Sequence, residues 1–463
     1  MNPAQLDLQI PEAPRDPADH YIRFLSDAVT PFHAVVECEN RLRSAGFKQI
    51  SVLDTLHVQQ GDKAYVIHPD GKTLFAFVVG SRSPMTTGFT LWGAHTDSPD
   101  LRLRLNPLTA EAGTVQLTTQ LHGGLIRRSW LDRPLALAGS VFRVTRDAGG
   151  RPIFSPVDGQ PMITRTLVRL DEPLAVIPDL AIHLDRKKND EGGVNAQTML
   201  NAVFATGDDA DHAMKALSMR LGVPLDQIDG FDLHLVPWHR PQRVGVDGSL
   251  IVGPRHDDLA MVYAGLAGLT EAAEANPAPS HTAVAAFFDA EETGSMTASG
   301  AQSSFLRDIL LRIARNHPET QDGDPEQCLL RSFVVSGDMA HALHPNYADK
   351  HDSQHAPLIN QGIVIKANTN DRYATGGESA AYFRAICEAA NVPVQAFVSR
   401  QDMGCGTTIG PITAARLSAR TVDIGAAMWG MHSINETMGA HDMAWLIDAA
   451  RVFFLGGVTS SDA

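Results

Sequence analysis

The stretch TAVAAFFDAEETG, residues 282–294, joins a short apolar run to a pair of neighbouring acidic residues. The segment Thr282–Phe288 contains the apolar run Val284–Phe288 and is followed by turn residues, which is typical of a buried strand. Glu291 and Glu292 therefore stand just beyond the end of a buried strand. Two carboxylates in that position repel each other and lose hydration. A cation beside them would remove that cost, so the stretch indicates a metal site.

Strand-like and helical patterns alternate on both sides of a region of different texture. Short apolar runs bounded by turn residues predict buried strands. They lie at 73–79, 89–94, 282–288, 332–335, 362–367, 394–398 and 421–424. Helical patterns lie at 22–28, 34–45, 259–274, 378–390 and 443–454. This alternation predicts an α/β fold, a three-layer α/β/α domain with a mostly parallel central sheet.

The middle of the chain has a different pattern. Short alternating segments such as 114–121 and 165–170, with frequent Gly and Pro and almost no long amphipathic helix, predict a β-rich insert. We therefore expect one discontinuous domain made from 1–98 and 247–463, interrupted by an all-β domain at 99–246.

The composition excludes several classes of protein. The chain has 38 Lys and Arg against 53 Asp and Glu, which gives a net charge of −15 without any basic run. Phosphates would be repelled, so neither a nucleic acid nor an anionic membrane is expected as a partner. No segment approaches the roughly 18 apolar residues of a membrane span. With no targeting pattern at its start and four scattered cysteines, the sequence predicts a cytoplasmic protein.

Residues of the types that commonly bind metal ions stand at or just after the ends of five segments. These residues are His95, Asp257, Glu292, Asp338 and His432. Taken singly, a His after a strand is usually an ordinary core or surface residue, and an Asp such as Asp257 at a helix start is usually an N-cap. Together they favour a site, because the carboxyl ends of strands in an α/β sheet converge on one crevice.

Two imidazoles and three carboxylates suit a pair of zinc ions that share one carboxylate. We expect Asp257 to bridge the two ions. His95 and Asp338 then complete one site. Glu292 and His432 complete the other. Two such ions hold a hydroxide between them and polarise a carbonyl, which is the chemistry of amide hydrolysis, although Co²⁺ or Mn²⁺ would also accept these ligands.

Amide hydrolysis also needs a base that takes a proton from water and returns it to the leaving amine. Glu291, beside the ligand Glu292, is the candidate for this role. Asp97 lies two residues after His95, and we expect its carboxylate to accept a hydrogen bond from the free N–H of that imidazole and so fix its tautomer. Neither the H-E-x-x-H motif nor the G-x-S-x-G motif of other hydrolases is present.

The sequence resembles the aspartyl aminopeptidases, a family of zinc exopeptidases with two metal ions. The resemblance covers nearly the whole chain in ordered segments. They are PFHAV 31–35, HTDS 95–98, AIHL 181–184, EETGS 291–295, DMAHALHPNY 338–347, VIKAN 364–368, RYA 372–374, CGTTIGP 405–411 and MHSI 431–434. The resemblance implies a zinc-exopeptidase domain that removes an N-terminal Asp, and less readily Glu, from peptides.

The resemblance also implies a substrate pocket lined by His183, His341, Lys366 and Tyr373. Lys366 would pair with the acidic side chain of the substrate, as a cation near a strand end among many carboxylates. The alternative for Lys366 is a solvated surface lysine. The net charge of −15 opposes an acidic substrate only mildly, since salt screens charges beyond about 8 Å.

Members of the resembling family form tetrahedral particles, usually dodecamers, from dimers made through the inserted β domain. His183 would then reach the active site of the neighbouring chain. The alternative for His183 is a strand or interface residue without substrate contact.

Two positions depart from the family pattern. His256 stands before Asp257 where the family usually has an aliphatic residue, and we expect its ring to point away from the metals. Pro134 replaces an acidic residue and lacks an N–H, which puts the local β pairing in doubt. Other functions also stay open: a dinuclear zinc aminopeptidase or amidohydrolase with a neutral-residue preference, or a non-catalytic assembly protein with the same fold.

Overall fold

The computed structural model describes residues 16–224, 227–320 and 323–456. The strands in these ranges form three β-structures: a nine-stranded sheet, a closed six-stranded barrel and a five-stranded sheet. No helix in these ranges is both long and apolar enough to cross a lipid bilayer.

The nine-stranded sheet is the centre of the larger domain. In spatial order its strands are Lys48–Gln49, Lys63–Ile67, Leu74–Val78, Thr282–Phe288, Phe89–His95, Phe333–Gly337, Arg420–Gly425, Ile363–Lys366 and Val394–Phe397. Five of the eight neighbouring pairs are parallel, and three are antiparallel. The mostly parallel sheet predicted from the alternating pattern is confirmed.

Helices cover both faces of this sheet. One face carries Pro17–Asp27, Pro31–Ser44, His256–Ala275, Gly377–Ala389 and Ala440–Phe454. The other carries Pro84–Thr87, Phe305–Asn316, Gln327–Arg331 and Ile409–Leu417. The strand Thr282–Phe288 serves both cores, because successive side chains of a strand point to opposite faces. Phe287 packs into one cluster and Phe288 into the other, so the domain has the three predicted layers.

The barrel is built from the middle of the chain. Its strands, in order around the barrel, are Gly230–Pro237, Asp100–Glu111, Thr114–His122, Ala202–Thr206, Ile163–Val176 and Pro134–Val144. Two helices, Lys188–Glu191 and Ala210–Leu221, accompany them. The second helix was not predicted. It packs Leu217 and Leu221 onto the barrel core, with Asp209 capping its start and Gly222 ending it in the left-handed region.

The β pairing that the sequence put in doubt at Pro134 is present, although the register shifts just after it, between Leu135 and Leu137. Pro134 is the first residue of its strand and pairs in register with Val176. A proline at the start of a strand removes no hydrogen bond from the ladder. Its carbonyl accepts a hydrogen bond from the N–H of Trp238 at 3.2 Å.

The five-stranded sheet is the third of these β-structures. Its strands are Gln242–Val244, Leu250–Gly253, Glu436–Gly439, Ala427–Trp429 and Ala340–His341. The segment 242–244 falls within the predicted insert but pairs with strand Leu250–Gly253. The domain boundaries at 98/99 and 246/247 remain predictions.

The carboxyl end of the central strand Phe89–His95 leads directly to the barrel. Only Thr96–Pro99 separates it from the barrel strand Asp100–Glu111. The N–H of Thr96 donates to the carbonyl of Phe288, at the end of the neighbouring strand, at 2.7 Å. The junction between the domains therefore lies at the strand ends where the metal ligands were predicted.

Candidate metal centre

The structure brings the five predicted ligands together. Their ligand atoms form overlapping groups in which all atoms lie within 4.8 Å of one another. One group includes His95, Asp257 and Asp338. A second consists of Asp257, Glu292 and His432, and a third of His95, Glu291 and Glu292. Asp257 belongs to the first two groups, which is the position of a bridging carboxylate, and the roles of the five residues as zinc ligands remain predictions.

Asp257 lies between the two imidazoles. Its Oδ1 is 3.4 Å from Nε2 of His95, and its Oδ2 is 3.4 Å from Nε2 of His432. Glu292 Oε1 lies 3.3 Å from the same His432 nitrogen. Asp257 Oδ1 and Glu292 Oε1 are buried without a hydrogen-bond partner among the described residues. Such oxygens are costly unless a cation meets them, and carboxylate oxygens with imidazole nitrogens are zinc donors, so the residues fit a pair of zinc ions.

Each ligand is placed by the element that carries it. His95 ends the strand Phe89–His95, and Asp338 follows Phe333–Gly337. Gly425, on the neighbouring strand, leaves room for the turn after Gly337, because a Cβ there would lie 2.1 Å from the carbonyl oxygen of Asp338. Because Gly425 has no side chain, the backbone at Asp338 can pass close to the sheet.

The carboxylate of Asp97 holds the turn that carries Glu291 and Glu292, which is called the acidic turn below. Its Oδ1 accepts the N–H of Glu291 at 3.0 Å, and its Oδ2 accepts the N–H of Glu292 at 3.3 Å and Nε2–H of His122 at 2.9 Å. Nδ1 of His95 is 2.9 Å from the backbone carbonyl of Asp97 and 3.5 Å from its carboxylate. The tautomer of His95 is therefore set mainly by a main-chain carbonyl, whereas the sequence predicted the carboxylate in that role.

The electrostatics of the centre reflect many buried charges. Burial raises the pKa of Glu291 to about 8 and that of Asp338 to about 6. Burial opposes the charged form of His432, but a hydrogen bond to Asp257 raises its pKa to about 10. In Asp97 the hydrogen bonds from His122 and His95 overcome burial and hold its pKa below the usual range.

Lys366 is buried beside the centre, which contradicts the alternative of a solvated surface lysine. Its side chain is 2% exposed. Nζ lies 3.5 Å from Oδ2 of Asp338, donates to the carbonyl of Met339 at 3.2 Å, and stands 5.1 Å from the centre of the Tyr373 ring. An ammonium has three N–H groups. One of them has no acceptor among the described residues.

The other predicted pocket residues fall into two groups. Tyr373 is buried and packs against Phe397, with ring centres 6.4 Å apart. His341 is exposed and packs edge-on against the same ring at 5.8 Å. Both therefore lie on the Lys366 side of the centre. His183 is exposed in the insert, and no described contact within the chain joins it to the ligand groups.

Asp258 belongs to the centre although it was not predicted. Its Oδ2 accepts the N–H of His95 at 3.0 Å, and it joins the first ligand group. The signal for Asp258 was present, because it is the second acid of an adjacent pair. His256, in contrast, is fully buried away from the ligand groups, with Nδ1 2.8 Å from the hydroxyl of Tyr21.

Glu436 also escaped the sequence analysis. Its carboxylate accepts the N–H of Asp257 at 3.1 Å and the N–H of His432 at 2.6 Å. It thus ties the bridging position to a ligand of the second group. Glu436 and His122 lie on strands of two other sheets, and no local pattern marks either of them.

Comparison with known proteins gives a consistent result. Residues 24–454 match the family described as Aminopeptidase I zinc metalloprotease (M18). A Probable M18 family aminopeptidase 2 of Pseudomonas aeruginosa strain UCBPP-PA14 is 40% identical over 440 residues, which cover 94% of this chain and 96% of the relative.

Solved structures show the same architecture. A chain in the cryo-EM structure of the Ape4 and Nbr1 complex has a TM-score of 0.88 and 30% identity, covering 95% of this chain and 85% of that chain. The mApe1 dodecamer of S. cerevisiae has a TM-score of 0.80 and 24% identity, covering 94% of this chain and 96% of that chain, and so supports the fold alone.

Metal removal should make stability depend on pH. The folded pKa of Glu291 and of His432 lies above the unfolded value, so these two groups hold more protons in the metal-free folded state than in the unfolded state, and their contribution to the free energy of unfolding falls as pH rises. We expect zinc to raise the thermal midpoint of the chelated protein more at pH 8 than at pH 6, because these groups must lose their protons when zinc binds. Differential scanning calorimetry would test this, and equal midpoints with and without zinc at pH 8 would contradict it.

Proposed function

The chain belongs to the M18 family of zinc aminopeptidases, hydrolases that act on peptide bonds, and we propose that it removes an N-terminal aspartate, and less readily a glutamate, from peptides. The observation that carries the acidic preference is the buried ammonium of Lys366. We also infer that each chain holds two zinc ions. Two of the three ligand groups share Asp257 and together contain all five predicted ligands, which supports this number.

The surroundings of Lys366 favour a carboxylate over a neutral side chain. With Asp338 and Met339 as its described partners, the ammonium retains one N–H for a ligand. A substrate carboxylate would form a charge-assisted hydrogen bond there. A neutral side chain would leave that buried N–H unpaired, which is costly. The side chain of the first substrate residue would thus bind beside the centre that attacks its amide.

The proposed mechanism assigns the proton transfers to Glu291. When bound, the two ions supply a water molecule of lowered pKa and polarise the scissile carbonyl. Glu291 takes the proton of the attacking water and returns it to the leaving amine. Its Oε2 lies 3.9 Å from Nε2 of His95, and Glu291 groups with His95 and Glu292 within 4.8 Å. Asp97 keeps the base in place by accepting its main-chain N–H.

A preference for neutral residues is the second candidate. The buried ring of Tyr373 and the ring of Phe397 lie beside Lys366 and would suit an apolar side chain. Substrate comparison with a Lys366 variant distinguishes the two candidates.

We further propose that the chain forms tetrahedral dodecamers from dimers made through the barrel domain. Phe154 and Val157 of the insert are 57% and 93% exposed, and Met162 and Ile163 beside them are exposed as well. Contiguous exposed apolar side chains mark interaction surfaces. The S. cerevisiae relative of the same fold is a dodecamer. In such a dimer the exposed His183 would meet the active site of the neighbouring chain.

A cytoplasmic location completes the proposal. All four cysteines are unpaired, and Cys38, Cys328 and Cys387 are buried. Free buried thiols are typical of proteins that work in a reducing compartment.

Glu291→Gln should retain zinc and lose the proton transfer, so we expect kcat to fall by about 10²- to 10⁴-fold. Rates on Asp-anilide and zinc content by atomic absorption test this. Glu292→Gln is the matched control, because the same change at the neighbouring residue should lower zinc content instead. Loss of zinc in Glu291→Gln alone would mean that the roles of the two glutamates are reversed.

Lys366→Met should lower kcat/KM for Asp-anilide by about 30-fold or more, the cost of removing one partner of a buried charge pair. Cleavage of Leu-anilide should fall much less. Lys350→Met, the same change at an exposed lysine, provides the control. Equal losses on both substrates would remove Lys366 from the specificity pocket.

His183→Ala should inactivate the enzyme only through the neighbouring chain. Co-assembly of His183→Ala with Glu291→Gln chains should therefore restore activity, because the His183→Ala chain keeps its base and receives His183 from its partner. The recovered rate of the mixed particles against each single variant is the measurement. Loss without recovery would assign His183 to its own chain, and full activity of His183→Ala would make it an ordinary interface residue.

A further inference from the structure

The end of one barrel strand contacts a residue next to the predicted metal ligands. His122 ends the strand Thr114–His122 and is only 8% exposed. Its Nε2 lies 2.9 Å from Oδ2 of Asp97. Since a carboxylate oxygen accepts, the imidazole donates through Nε2–H.

Asp97 connects His122 to the acidic turn through hydrogen bonds. Its carboxylate also accepts the main-chain N–H groups of Glu291 at 3.0 Å and Glu292 at 3.3 Å. The carboxylate is fully buried, so water cannot replace a lost donor. Without His122, Oδ2 would keep only the longer of the two main-chain bonds, and two main-chain N–H groups alone would hold the carboxylate.

The residues after His122 contact two predicted ligands of the centre, Glu292 and His432. The carbonyl of Gly124 accepts Nδ1–H of His432 at 3.0 Å, and the N–H of Ile126 donates to the carbonyl of His432 at 2.9 Å. Gly123 has φ +67°, and a Cβ there would lie 3.1 Å from Cβ of Glu292. The segment from His122 to Ile126 thus contacts both the acidic turn and His432.

We propose that His122 is a positioning residue of the hydrolysis, which holds the base Glu291 and the ligand Glu292 in place through the Asp97 carboxylate. The inference rests on the proposed function, because it assigns these two glutamates their roles. It gives the barrel a second task within its own chain, in addition to dimer formation.

Three variants of His122 separate positioning from packing. Gln carries a side-chain N–H at nearly the distance of Nε2 and keeps the bond to Asp97. Asn is one methylene shorter, so it keeps polarity and most of the volume but not the bond. Ala removes both. A positioning role therefore predicts that Gln behaves like the native enzyme and that Asn behaves like Ala.

The expected result is a fall in kcat of about 10- to 100-fold for His122→Ala and His122→Asn, with KM within about threefold of the native value, and recovery in His122→Gln. Each rate is measured on the anilide that the native enzyme cleaves best, so failure of the acidic preference leaves this test intact. A second readout is zinc affinity of the metal-free proteins by competition with a chromophoric chelator. We expect it to weaken by about tenfold in Ala and Asn and not in Gln.

A matched control comes from another strand of the same barrel. His234 is also buried and also paired with carboxylates, Asp100 and Asp232, but not with Asp97. His234→Gln should leave kcat and zinc affinity unchanged. Circular dichroism and thermal midpoints identify a variant that does not fold, in which case the Asn and Gln pair decides. Native kcat and zinc affinity in His122→Asn, or equal losses in Asn and Gln, would overturn the proposal.

Discussion

The repulsion between buried carboxylates is the constraint on which the rest of the site depends. Asp257, Glu292 and Asp338 place their oxygens in overlapping groups a few ångströms across, and burial raises the pKa of Glu291 beside them. In a protein interior such a cluster keeps its negative charge only beside cations, and without them carboxyl groups take up protons instead. The zinc ions expected for this family would neutralise this charge, and Lys366 supplies a further positive charge nearby.

Main-chain donors distribute the remaining negative charge. Asp97 and Glu436 each accept two main-chain N–H groups that belong to residues of the centre. Neither carboxylate is one of the five predicted ligands. Their hydrogen bonds instead hold the turns that carry Glu291, Glu292 and His432. Geometry at the metal centre is therefore set by hydrogen bonds one layer out, as is usual for metal sites.

The two domains of the chain are joined at this layer. The central sheet ends in the acidic turn, and the barrel strand that ends at His122 closes over it. The overall charge of −15 and the local charge act at different ranges: salt screens the surface acids beyond about 8 Å, while Lys366 acts at contact distance. An acidic substrate side chain is thus compatible with an acidic protein.

The sequence by itself determined the three-layer α/β fold and the five residues that converge, because both depend on local patterns: apolar strand length, and a ligand-type residue where each segment ends. It also marked Glu291, through its neighbour. Only the tertiary structure decided the burial of Lys366 and the roles of His122 and Glu436. His122 lies 25 residues from Asp97, and Glu436 lies 179 residues from Asp257. Such contacts form when separate sheets pack together, and no periodicity within one strand records which residue of another strand it will meet.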